Sequence, residues 1–172
     1  MSPYFEFAVN NRYANRTLYE AIAEMDQATF TARLPGFFPS LSKTLNHIRK
    51  VDAFYLGALK GTGIGRAVYA WPDIENVTAL SEEQSSLDMD LIDFCDGDID
   101  LDRCMAVERP GVRTQERIGA LLPHLFQHQI HHRGQAHVQV GEAGVAPPQL
   151  DDFFLEWERA PIAQDCIREF LS

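Results

Sequence analysis

The apolar positions of this chain fall into long segments with helical spacing, divided by clusters of proline, glycine and small polar residues. The first segment runs from about Phe5 to Gln27, with Leu18, Ala21, Ile22 and Met25 on one stripe. It stops at "LPGFFPS", where Pro35, Gly36 and Pro39 break the pattern. Ser40 then stands as an N-cap to a second helix, in which Leu41, Leu45, Ile48, Asp52, Tyr55 and Leu59 advance by steps of 4, 3, 4, 3 and 4. Such a run packs among other helices, and the glycines at 61, 63 and 65 end it. A connection over 61–80 holds Trp71 and Pro72, and a capping-box pattern, Ser81 with Gln84, predicts a third helix to about Phe94. "CMAV" and the residues after Gly111 predict a short hairpin around "RPG". The last long helix carries Pro123 near its start and runs to about Val140. A weaker stretch, roughly Asp151 to Leu171 with Pro161 splitting it, closes the chain. Four principal helices with crossover connections predict an all-α four-helix bundle, one domain over 1–172, with the hairpin before the last bundle helix.

Composition then removes whole classes of function. The 172 residues are 45% hydrophobic and 23% charged, the balance of a globular domain with a real core. A formal net charge of −10 argues against a nucleic-acid partner, which needs a basic surface to displace phosphate counterions, and against an anionic membrane. No apolar run approaches the roughly 18 residues of a membrane span, and the N-terminus, with Glu6 early, does not read as a secretory signal. Cys95, Cys104 and Cys166 are odd in number and form no CxxC pair, so free thiols in a reducing cytoplasm are expected.

The candidate chemistry lies in "HLFQHQIHHRGQAH". His128 and His132 stand one turn apart on one helix face, about 40° apart around the axis, so both imidazoles can meet one ion. His124 continues the stripe with further drift, whereas His131 and His137 point elsewhere. Two ligands from one helix are too few for a zinc-like ion, which takes three or more. The only histidine outside this cluster is His47, on a buried flank of the second helix beside the heptad seam. Three imidazoles with the remaining positions open to water or substrate would make a reactive site rather than a closed structural one. On spacing alone, a solvated histidine pair and a core histidine account for the same residues, and both readings stay open.

The wording around these residues resembles the DinB-like family, the DinB/YfiT superfamily of metalloenzymes. The family pattern is a histidine in the second helix followed later by H-x-x-x-H-R-G-Q; here His47 lies in "LNHIRKVDAFYL", and His128, His132, Arg133, Gly134 and Gln135 complete the second part. "NNRYANRTLYEAI" and "GEAGVAPPQLDDF" resemble family segments in the same order. The resemblance implies a four-helix bundle, a homodimer in many members, with His47, His128 and His132 holding nickel, zinc or manganese. It also implies a small-molecule substrate, and some relatives use a low-molecular-weight thiol. Thiol transfer is therefore the leading expectation, with a metal-dependent hydrolase and a non-catalytic metal-binding stress protein as rivals. Around the three ligands, Arg133 is expected to pair with a nearby acid, or else to attract a substrate carboxylate. Gln135 is expected to orient a ligand or a backbone group, and Gly134 to allow close helix packing beside the metal. Asp52, on the apolar seam, needs a buried partner, and His124 is the rival ligand.

Overall fold

In the computed structural model, which describes residues 2–171, the Ser2 hydroxyl accepts the Tyr4 N–H at 3.2 Å and opens helix α1, Pro3–Ala21. Proline at the first helical position suits this start, since its missing N–H would have no partner there. The first segment does not continue to Gln27. Asp26 caps a separate short helix, α2 (Gln27–Thr31), by accepting the Thr29 N–H at 2.8 Å, and that side-chain bond competes with a continued α1.

Helix α3, Leu41–Lys60, begins and ends where its cap residues stand. The Ser40 hydroxyl accepts the Lys43 N–H, and Gly61 takes the left-handed conformation (φ +69°) that closes the last turn. A short 3-10 turn over Gly65–Ala70 follows. Helix α4, Val77–Cys95, starts earlier than the capping box places it. Asn76 is the cap, accepting the Ala79 N–H at 2.9 Å, and Ser81 and Gln84 are interior helical residues. Gln84 is buried in the bundle and caps nothing.

The hairpin forms as the sequence predicts. Strands β1 (Cys104–Arg109) and β2 (Val112–Arg117) pair antiparallel, with Arg109 opposite Val112 and Pro110–Gly111 as the two-residue turn. Gly111 has φ +74°, a value that glycine adopts without steric cost. Helix α5, Ile118–Glu142, passes through Pro123 near its start, where few intrahelical bonds are at stake. The closing helix α6 spans only Pro161–Phe170; Pro161 begins it instead of splitting it, and residues 151–160 are irregular.

Helix α1 packs on α4 and α5, and α3 packs on the same two, so the four long helices form a square. The chain crosses its diagonal twice, from α1 to α3 and from α4 to α5. Helix α6 lies against α1. The apolar core is divided in two: one cluster holds Phe5, Val9, Tyr13, Leu91, Leu122 and Leu125, the other Leu18, Leu41, Leu45, Leu80 and Val140. Buried polar side chains from all four helices lie in the interior with them: Asn11, Asn15, Asp52, Gln84, Asp88, Gln129 and Arg133. No helix among the described residues is long and apolar enough to cross a membrane.

Gly134 does not serve close packing. It lies on the outer face of α5, and a Cβ built there meets nothing within 4 Å. Gly134→Ala should therefore raise stability by about 0.5–1 kcal/mol, read as a higher urea midpoint, because alanine in a helix loses less entropy on folding.

Candidate metal centre

Helix α3 supplies His47, and α5 supplies His128 and His132 one turn apart. These two helices pack against each other, and the side chains meet across their seam. One ring nitrogen from each of the three lies within 4.8 Å of the others, the only such cluster of histidine, cysteine or acid side chains among the described residues. His47 Nε2 and His128 Nε2 are 3.0 Å apart. Nitrogens sharing one ion at about 2.1 Å stand about 3.0–3.4 Å apart, so this spacing fits a shared metal.

The imidazoles are also in the right protonation state. Burial pushes His47 down to about 4 and His128 down to about 3, and the neighbouring imidazoles push the same way. His132 is lowered too, chiefly by burial. Neutral rings at neutral pH leave lone pairs for a metal. The Nδ1 of His132 lies 2.8 Å from the Gln135 side-chain oxygen, a contact that places the proton on Nδ1 and frees Nε2. Gln135 also reaches the exposed His131 ring, at 3.0 Å. The His128 Nδ1 is buried without a partner. An all-imidazole donor set suits nickel or zinc better than magnesium or calcium, which prefer oxygen.

Other residues singled out by the sequence take different places. His124 is outside the cluster; its ring stands edge-on to Tyr55 at 5.1 Å. Asp52 touches none of the three histidines. Its Oδ2 accepts Gln84 Nε2 at 2.8 Å and Gln129 Nε2 in a short bond, while Oδ1 has no partner. Arg133 forms no ion pair with an acid among the described residues. Its Nη1 donates to the amide oxygens of Asn11, Asn15 and Gln129, the last two at 3.0 and 3.1 Å. Those amides in turn donate onward: Asn11 and Asn15 to Asp88, Gln129 to Asp52. Burial pushes Asp52 up to about 8 and Asp88 up to about 7, and Arg133 down to about 10.

Two groups of contributors escaped the sequence reading. Phe38, in the loop before α3, stacks on His47 at 4.6 Å and on His132 at 5.7 Å. Only "FFPS" before a helix marks it, and no spacing rule links it to the histidines. The amide network did leave a signal: Asn11/Asn15, Gln84/Asp88 and Gln129/Arg133 are three polar i,i+4 pairs on otherwise apolar helix faces.

A helical bundle with crossover connections, presenting three neutral imidazoles to one point and able to hold a metal ion there, is the class that fold and site define. The sequence pattern of the DinB family matches residues 1–165, and the chain belongs to that family. It is similar to Protein DinB of Bacillus subtilis (strain 168), 22% identical over 154 residues that cover 86% of this chain and 90% of the relative. It also superposes on the crystal structure of a DinB-like protein from Bacillus cereus ATCC 10987. That match has a TM-score of 0.62 at 16% identity and covers 80% of this chain and 90% of the other, which bears on the fold alone.

The two buried acids make stability fall with rising pH. Their folded pKa values lie above the usual 3.8, so the folded chain keeps protons that the unfolded chain has released. That contribution is complete below the usual value and is lost as pH rises through about 7 and about 8. The lowered histidines act in the opposite sense, but only below their usual 6.5. Urea midpoints of the metal-free protein should therefore decline from about pH 6.5 to 8.5. Asp52→Asn should flatten the decline.

Proposed function

We propose that this protein is a metal-dependent enzyme acting on a small molecule, with thiol transfer as its reaction. The observation that supports this is the three-histidine cluster, which no fourth histidine, cysteine or acid joins among the described residues. A divalent ion held by His47, His128 and His132 would supply Lewis-acid chemistry, lowering the pKa of a thiol so that it reacts as a thiolate beside an electrophile. The chain's own residues prepare the place. Burial keeps the imidazoles neutral, Gln135 holds the His132 tautomer, and the Phe38 ring lies against His47 and His132.

The same cluster serves a hydrolase if water takes the place of the thiol. It serves a non-catalytic metal-binding stress protein if nothing reacts there. Association of two copies belongs to the same proposal, because Tyr4 and Phe7 on α1 and Phe126 and Ile130 on α5 line one apolar groove to bury. Sedimentation velocity reads that association directly.

Elemental analysis of untagged protein should find about one transition metal per chain, with the four-coordinate ions as the reference case. His47→Ala and His132→Ala should each lose it while retaining the helical circular dichroism; metal surviving both changes excludes this centre. Conjugation of an electrophile should then be assayed with bacillithiol, mycothiol, glutathione and coenzyme A. A metal-dependent rate with one of them supports transfer. A metal-dependent ester or amide cleavage without any thiol supports the hydrolase instead.

A further inference from the structure

The seam that carries the three histidines continues past them. On α5, His124 precedes His128 by one turn, about 6 Å along the axis. On α3, Tyr55 follows His47 by two turns and meets His124, ring to ring, at 5.1 Å. The end of strand β1 closes this stretch. The Arg109 guanidinium lies 5.9 Å from the Tyr55 ring centre, and its Nη1 donates to the Tyr55 hydroxyl at 3.3 Å. A second guanidinium, Arg66, lies over Tyr69 at 5.4 Å. Tyr69 packs on Phe54, next to Tyr55.

Neither arginine forms an ion pair among the described residues. Glu116, on the paired strand, acts on Arg109 only from beyond contact, and Glu108 accepts the Arg66 backbone N–H instead. In a chain with 25 acids against 15 lysines and arginines, two guanidinia on tyrosine faces that no carboxylate pairs directly are unusual donors. Lys50, one turn after His47 on α3, is already committed to Asp73 at 2.6 Å. Arg109 and Arg66 supply cationic donors at the His124 end. His124 is exposed, Arg109 is half-buried, and the guanidinium keeps N–H groups beyond the one given to Tyr55. A planar guanidinium held on an aromatic face is preorganised for a carboxylate.

We propose that Arg109, His124 and Tyr55 form a carboxylate-binding subsite one helical turn from the three-histidine centre, with Arg66 adding charge at its rim. The molecule handled at the centre then carries a carboxylate about one turn's length from its reacting group. This substrate class rests on the metal-centre reading given above; the subsite itself does not.

Two measurements separate the subsite from the centre. In the metal-free protein, succinate should shift the ring C–H resonance of His124 saturably, and Arg109→Gln should abolish the saturation while Arg109→Lys restores part of it. In cobalt(II)-loaded protein, mercaptoacetate, mercaptopropionate and mercaptohexanoate are compared with the matching mercaptoalcohols through the thiolate absorption band. The longer acids should bind about tenfold more tightly than their alcohols, and Arg109→Gln should bring that ratio to about one, the difference made by one charge-assisted contact. Affinity for the alcohols should not change, as it would if Arg109 were only structural. No saturable succinate shift, or one indifferent to Arg109→Gln, overturns the subsite. A normal succinate response with no cobalt bound overturns the centre instead, and an acid preference independent of chain length overturns the link between them.

Discussion

A buried guanidinium with no carboxylate against it is the constraint around which this bundle is built. Arg133 is almost wholly removed from water, and an isolated charge there would be prohibitive. The answer is a layer of amides. Asn11, Asn15 and Gln129 each give a side-chain oxygen to Arg133 and a side-chain N–H to an acid, Asp88 or Asp52. Gln84 links the two acids from α4. Each amide thus turns its oxygen toward the cation at one end and its N–H toward an acid side chain at the other. The cation and the two acids are joined without touching, across four helices.

This layer also sets where the histidines meet. Gln129 and Arg133 are the residues directly after His128 and His132, so their interior contacts fix the rotation and height of α5. Asp52 lies on α3 with His47, and its bond to Gln129 ties the two histidine-bearing helices in one register. An apolar core of equal volume would tolerate sliding and rotation far better, because hydrophobic contact has no direction. Directional bonds select one arrangement. The polar interior therefore places three imidazoles from two helices close enough to share an ion.

The histidine spacing on α5, the cap at Ser40 and the Pro110–Gly111 turn were legible because each depends on neighbours a few residues away. Where two local signals competed, the sequence did not decide between them. Ser81 with Gln84 forms a plausible capping box, yet Asn76 caps α4 and Gln84 is needed by the interior acids. Asp26 ends a periodic segment that apolar spacing alone would carry to Gln27. Arg133 illustrates a longer-range difficulty: an acid partner is the economical expectation, and only the assembled bundle shows three amides from α1 and α5 in its place. Phe38 is harder still, since its contact with His47 and His132 depends on how the loop before α3 folds back.

That loop is held by α5 as well. Gln139, two turns beyond His132, donates to the carbonyls of Phe38 and Pro35 and accepts the Thr44 hydroxyl at 2.6 Å. Gly36, with φ +145°, passes so close that a Cβ there would stand 3.0 Å from the Gln139 amide nitrogen. The loop's path is thus dictated by a buried side chain of α5, and Phe38 arrives over the imidazoles as a consequence. One helix therefore supplies two of the three histidines, the cation of the interior layer, the glutamine that orients His132 and the clamp on the aromatic cover. Rotating α5 by a single residue, about 100°, would disrupt all of these together. The geometry of the centre and the packing of the bundle are consequently set by the same contacts.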